Sequence, residues 1–310
     1  MAAANTNTQV AELDFVNIKT NLINFLKAQN TFKDYNFSGS GMSTLLDILT
    51  YNTQYNAYYL NMVANEMFLD SALQRTSAVS HAKLLGYVPR SAVAPEATVN
   101  LTVSGLSGST FSLPVFSTFL SEQINEKYYE FITTDSYVAP IISGTATINN
   151  IKIKQGISAT FTFTYDESSN PDALFDLNQT GIDTSTIQVK VFSNPTSSSF
   201  SVYNLSTEFL TLNPESEVYF LQEGIDGNYQ IYFGDGILGK KLINGSLVQV
   251  SYIVTRGTEA EGANNFSITV PTGGTSLVTP VTPASNGGEQ ESIESIKYQA
   301  PKSYSAQNRA

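Results

Sequence analysis

The sequence predicts an α+β chain: an N-terminal helical bundle segment, then one or more antiparallel β-rich domains, then a C-terminal linker that enters a further helical domain. Three observations carry this prediction. Apolar residues recur at helical spacing between residues 10 and 88. Short runs rich in β-branched and aromatic residues fill residues 96–270, many alternating with period two. From residue 271 the composition turns to Gly, Pro, Ser and Thr before a new helical start. The expected domains are therefore 1–95, 96–270 and 271–310. The middle one divides into two subdomains at a seam near 166–183, and the last stops as a new unit begins, as if the natural protein continued past Ala310.

In order along the chain, "AELDFVNIKTNLINFLKAQNTF" places Phe15, Ile18, Leu22, Phe25 and Leu26 at helical spacing. "KDYNFSGSGM" breaks that pattern with two glycines. Ser43 is the expected N-cap of the next helix, with Asp47 near its first turn. That helix is expected to run to about Asp70, and a shorter one from Ser71 to Leu85. Gly86 is suited to a left-handed cap, and Pro89 prevents continuation.

The long helix is unusual on a wheel. Leu45, Ile48, Leu49, Tyr51, Tyr55, Tyr58, Tyr59, Leu60, Met62, Val63 and Met67 cover an arc of roughly 200°, against ~100° for an ordinary surface helix. The polar strip left over is narrow: Asp47, Thr50, Gln54, Asn61 and Asn65. Asn52 and Asn56 fall inside the apolar arc, where a buried amide needs a partner and can fix register. Tyrosines add large area with a hydroxyl handle, which suits interfaces. Three readings are open: a core helix of one compact all-α domain, a bundle shared between chains, or an aromatic ligand box. So short a helical zone has few other helices to cover two faces, which favours the shared bundle.

Eight β runs follow: "ATVNLTV", "KYYEFITT", "ATINNIKIKQG", "ATFTFTY", "STIQVKVF", "SEVYFLQE", "NYQIYFGDG" and "SLVQVSYIV". Then "PTGGTSLVTPVTPASNGG" reads as an extended linker, and "EQESIESIKYQAPKSY" as a helix start holding Ile293 and Ile296.

Composition narrows the chemistry. There is no Cys, no Trp and one His, so disulfides, thiolate metal sites and Cys nucleophiles are excluded, and a catalytic triad could use only His81. A lone His beside a helix end is the pattern of a packed or capping side chain. A net charge of -11 argues against nucleic-acid binding, which needs a basic face. Charged residues make up 14%, against roughly 25% in ordinary domains. That suits a surface covered by neighbours, although Ser, Thr and Asn also supply solubility. The start lacks the basic and apolar regions of a secretory signal, and no run of about 18 apolar residues predicts membrane insertion.

"GDGILGKK", residues 234–241, fits a phosphate-binding loop except at Lys241, where Ser or Thr should stand. Strand-like sequence follows it where a helix is required. Gly234, Asp235, Gly236 and Gly239 are therefore read as a structural turn. Asp226 and Asp235 lack the alternating acids of a calcium loop. Glu122, Glu126 and Glu130 are candidates for a glycan-hydrolysing pair, but they lie on separate β segments. No cofactor, metal ligand or catalytic residue is expected.

The grammar of "YQIYFGDGILGKKLINGSLVQVSYIVTRGTEAEGANNF", followed by "NGGEQESIESIKYQAPKSYSAQNRA", resembles the baseplate J-like family of contractile tails. "FKDYNFSGSGMSTLLDILTYNTQYNAYY" and "LLGYVPRSAVAP" are similar to its wedge branch in T-even-type phages. The resemblance covers nearly the whole chain. It implies a non-enzymatic structural subunit of a baseplate wedge, in the virion tail, assembled in the host bacterial cytoplasm. It implies partners: a second copy of the chain, a partner wedge protein of the gene product seven type, and neighbouring wedge, sheath-initiating and hub-proximal baseplate proteins. It places the interface on Ile48, Tyr51, Asn52, Tyr55, Asn56, Tyr58, Tyr59, Met62, Val63 and Met67. Members of that branch continue beyond the "QNRA" point. Two alternatives are the same scaffold in a phage-derived contractile injection system, and a carbohydrate-binding or glycan-hydrolysing tail protein.

Overall fold

The computed structural model describes residues 9–29, 40–207, 211–224 and 227–306. Most of "KDYNFSGSGM", together with Asp226 and the last four residues, lies outside the described residues. The chain divides into two compact units. One comprises residues 1–87 and 293–310, and the other residues 88–292.

The helical unit holds α1 (Phe15–Ala28), α2 (Gly41–Glu66), α3 (Arg75–Leu84) and α4 (Ile293–Ala306). Asp14 caps α1, its carboxylate accepting from the Asn17 N–H at 2.9 Å. The cap of α2 is Ser40, not Ser43: the Ser40 hydroxyl accepts from the Ser43 N–H, and Ser43 is buried inside the first turn. The helix starts earlier because Gly41 begins it directly after a capping serine. It also ends earlier, at Glu66 rather than Asp70. Gly86 has φ +71°, a left-handed residue just past α3.

The core of this unit is small. Ala72, Ala78, Val79 and Ala82 pack with Ile296 and Ala300 of α4. Along α1 only Ile18 is buried, and Phe25 stays 63% exposed although its spacing marked it as core. Periodicity selects one face of α1, but among the described residues too little of the chain reaches that face to cover it.

The other unit is built from β1 (Glu96–Ser104), β2 (Thr110–Leu113), β3 (Thr118–Ser121), β4 (Glu130–Thr133), β5 (Tyr137–Pro140), β6 (Thr145–Gln155), β7 (Ile157–Thr164), β8 (Leu174–Asp176), β9 (Ile182–Phe192), β10 (Phe200–Leu205), β11 (Val218–Glu223), β12 (Tyr229–Phe233), β13 (Leu247–Val254), β14 (Phe266–Ile268) and β15 (Thr275–Ser285). A six-stranded sheet runs β14-β3-β4-β6-β1-β15, a seven-stranded sheet runs β7-β13-β9-β10-β11-β12-β8, and β2 pairs with β5 alone. These pairs are antiparallel except β10 with β11, which are parallel over Asn204–Val218 and Leu205–Tyr219. With helices in one unit and mainly antiparallel sheets in the other, the fold class is α+β.

Each sheet has its own core. Val99, Leu101, Val103, Phe119, Phe131, Ile151 and Ile153 centre the first, with Ala260, Ala263 and Ala284 returning to it. Tyr165, Leu177, Ile182, Val189, Ile231, Val248 and Val250 centre the second. The second sheet is thus an insertion within the first. The chain leaves through Gly156 and returns through Thr255, where the Thr255 hydroxyl donates to the Gln155 side-chain oxygen at 2.7 Å. The expected seam at 166–183 falls elsewhere: Ala173, Leu177 and Ile182 are interior to the second core. Its turn-rich composition marked a loop inside one sheet, not a boundary between two.

Residues 275–285 correct the linker reading. They form β15, paired along β1 from Glu96 to Ser104. Pro280 and Pro283 hid the strand. Both are tolerated because β15 is an edge, where missing N–H groups cost little.

Candidate interaction surface

The long helix α2 is turned inside out. Its buried residues are Ser43, Leu46, Thr50, Ala57, Asn61 and Asn65, a mostly polar stripe. The wide apolar arc faces out. Tyr51, Tyr55, Tyr58 and Tyr59 are 47–63% exposed, as are Ile48, Val63 and Met67 at 59–63%. Met62 is half-buried, and Asn52 and Asn56 are exposed rather than held in a seam.

Specific hydrogen bonds explain why the polar stripe faces inward. The Asn61 carboxamide oxygen accepts from the N–H groups of Val10 and Ala11 at 2.7 and 2.9 Å, and its NH₂ donates to the Ala11 carbonyl at 3.0 Å. Gln54 donates to the Leu13 carbonyl at 2.9 Å. An extended segment before α1 is thus clasped by carboxamides that satisfy main-chain groups. Lys19 of α1 pairs with Asp47 of α2. Asn65 donates to the Asn61 carbonyl, and Ser71 to the Asn65 carbonyl. With its amides bonded, the stripe is buried without the cost of unmet polar groups.

The aromatic residues form a ladder. Tyr51 stacks on Tyr55 at 6.1 Å between ring centroids, and Tyr55 meets Tyr59 edge-on at 4.7 Å. The Tyr59 hydroxyl donates to that of Tyr55 at 2.8 Å. Such ring pairs restrict the rotamers open to the tyrosine side chains.

Glu66 closes the helix pair. Its carboxylate accepts from the Leu73 N–H at 2.9 Å and the Gln74 N–H at 3.3 Å, capping α3 where Gln74 supplies no side-chain cap. Burial opposes its charge, but hydrogen bonds from Ser77, Leu73 and Gln74 and the field of Lys297 outweigh this and hold the carboxyl below its ordinary 4.5. His81 Nε2 lies 2.9 Å from the Glu66 carbonyl oxygen, which accepts only, so the ring donates and acts as a packing contact. A carboxyl with a depressed folded pKa stabilises fully above its unfolded value, and that contribution is lost as pH falls through the folded value. Replacing Glu66 with Gln is expected to cost the helical unit about 1–2 kcal/mol at neutral pH. It should also flatten the loss of helicity between pH 5 and the acid limit, read by far-ultraviolet circular dichroism. An unchanged acid profile would show that the cap does not carry this linkage.

The glycine turn holds no phosphate cradle. Asp235 accepts from the Ile237 and Leu238 N–H groups at 2.8 and 2.9 Å, and these bonds hold its carboxyl below the usual range. Gly236 and Gly239 have φ near +90°, and Gly236 donates to the Gly239 carbonyl. A Cβ on Gly234 would overlap the Gly239 backbone. Lys240 and Lys241 pair with Glu217 and Glu167. The loop leads to β13, a strand. Of the three glutamates read as a candidate pair, Glu122 accepts from Asn265 at 2.8 Å, Glu126 lies in a tight turn at φ +65°, and Glu130 begins β4.

The chain is similar to known proteins in the following ways. Residues 14–87 match the family described as baseplate wedge protein gp6-like, helical domain. Baseplate wedge protein gp6 of Enterobacteria phage T4 is 29% identical over 91% of this chain, which spans 46% of that relative's length. A chain in the cryo-EM structure of the anti-feeding prophage baseplate aligns with 98% of this one and 62% of its own length. Its identity is 13% and its TM-score 0.34, too low to carry an argument about the fold. The chain is thus similar to the gp6-like baseplate wedge proteins over nearly its whole length, and the match to their helical domain falls on the helices that bear the exposed tyrosine arc.

Proposed function

We propose that this chain is a structural, non-enzymatic subunit of a phage tail baseplate wedge, and that the outer arc of α2 is the seam through which partner chains join it. One observation carries the reading: α2 buries Asn61 and Asn65 and exposes its tyrosines and most of its large aliphatic residues. Burying a large apolar side chain is worth about 1.5–3 kcal/mol. An arc of Ile48, Tyr51, Tyr55, Tyr58, Tyr59, Val63 and Met67 left in water forfeits several such contributions, and contiguous apolar patches of this kind mark interaction sites. The exposed Asn52 and Asn56 supply the polar contacts that set register in such a seam. The occupants are a second copy of this chain and one partner wedge protein of the gene product seven type, in a shared bundle. The β unit then faces neighbouring wedge, sheath-initiating and hub-proximal proteins in the ring around the tail hub. The site of action is the virion tail baseplate, assembled in the bacterial cytoplasm.

The test is the native mass of this chain purified after co-expression with the adjacent wedge gene product. A complex of two copies with one partner is the expected mass. A monomer that ignores the partner would sink the proposal and leave the arc unexplained.

A further inference from the structure

The four edges of the two large sheets are not treated alike. Unpaired edges invite another strand, and natural sheets blunt them by shortness, proline or charge. β14 is three residues long, and β8 is three residues ending in Asp176. β15 is long but carries Pro280 and Pro283. β7 is the exception. Its eight residues, "ISATFTFT", hold no charge and no proline, and its register with β13 runs from Ile157 to Thr164 without a bulge. Among the described residues it pairs with β13 only.

The free side of β7 can be assigned residue by residue. Tyr165, just past the strand, donates its N–H to the Ser246 carbonyl at 2.8 Å, so it faces β13. Main-chain groups point to alternate sides along a strand. The odd residues of β7 therefore bond β13, and Ser158, Thr160, Thr162 and Thr164 present their N–H and C=O groups outward. Phe161 and Phe163 pack against the core beneath, Phe163 stacking on Phe175, while Ser158, Thr160, Thr162 and Thr164 are exposed.

We propose that this edge pairs with β7 of a second copy, antiparallel and about a two-fold axis, joining two seven-stranded sheets into one. Two features select a second copy over another strand. The alternation reads the same in both directions, so Thr meets Thr and Phe meets Phe, both favourable cross-strand pairs. Each copy carries a net charge of -11, so two copies repel over most of their surfaces and approach most easily at an uncharged strip. The contact is isologous and closes at two chains. It is separate from the α2 seam and does not depend on it.

The experiment uses the full chain carrying Tyr55→Asp and Tyr58→Asp, so that the helical face cannot supply the contact. Sedimentation and residue-resolved hydrogen exchange are measured at low and high protein concentration. The expected result is a dimer in which the amides of residues 158, 160, 162 and 164 slow by about tenfold or more, while the odd amides are slow throughout. Adding Thr160→Lys and Thr162→Lys should weaken the dimer by about tenfold or more with the near-ultraviolet spectrum unchanged. Thr279→Lys, on the β15 edge, should leave it intact. A monomer at every concentration overturns the proposal, as does a dimer whose even amides stay fast. Protection that appears only on adding another baseplate protein overturns it too, since the strand would then pair with a different chain.

Discussion

Tyr55→Asp combined with Tyr58→Asp is expected to abolish wedge assembly while leaving the chain's own fold intact. Both rings are about half exposed in the isolated chain, and substitutions at such surface positions usually change stability by less than about 0.5 kcal/mol. Covered by a partner, each aspartate becomes a desolvated, unpaired carboxylate, which costs about 3–5 kcal/mol. Two of them should weaken the complex more than a thousandfold, since every 1.4 kcal/mol is about tenfold. Tyr55→Phe with Tyr58→Phe keeps the area and removes the hydroxyl contact to Tyr59, so it should assemble with a loss of roughly tenfold or less. The measurement is co-purification and native mass with the partner wedge protein, beside thermal denaturation of the chain alone. Normal assembly of the aspartate pair would move the interface off this face.

Gly156→Ala is the second large effect, and it falls on stability. Gly156 is the single residue between β6 and β7, where the chain crosses from one sheet to the other. Its φ is +136°, a conformation that side chains disfavour, and a Cβ there would run into the Val254 carbonyl oxygen and the Ile253 γ-methyl. Its N–H donates to the Glu130 carbonyl at 2.9 Å, so the backbone cannot simply move aside. Strain and overlap together should cost more than about 3 kcal/mol. Gly245→Ala is the matched control. It also has a positive φ, +86°, but open space where the Cβ would stand, so only about 1–2 kcal/mol is expected. Denaturation midpoints of the two variants decide the matter. Equal costs would mean that close packing at the crossing adds nothing to backbone strain.

The sequence makes the elements legible where local physics dominates. All eight β runs named from their alternation are strands: β1, β4, β6, β7, β9, β11, β12 and β13. Each has enough β-branched and aromatic residues to be read without its neighbours. Most strands that were not legible are short, such as β8 and β14, or carry prolines, as β15 does, and exist because a neighbour offers a ladder; β10, six residues without proline, is the exception. The helices were legible from period, and their ends only to within a few residues: Ser40, not Ser43, caps α2. The glycine turn was legible because its flanks are strands. Asn52 and Asn56 were visible as amides in an apolar arc, but the clasp made by Asn61 and Gln54 left no signal. Its partners are main-chain groups of residues 10, 11 and 13, which any sequence would offer.

By itself, then, the sequence determined where the helices and the eight named strands lie, that α2 carries a wide apolar arc, and that the chain resembles baseplate wedge proteins. Each of these follows from the order of residues within a few turns or strands, or from motifs quoted directly. Tertiary structure decided which way α2 faces, where one sheet gives way to the next, and that 275–285 is a strand. Burial depends on what stands opposite a residue, and the contacts that decide it join residues 50 or 100 positions apart, as Asn61 meets Ala11 and Gln155 meets Thr255. A hydrophobicity pattern reports what a face would gain by being covered. It does not report whether the cover comes from the same chain.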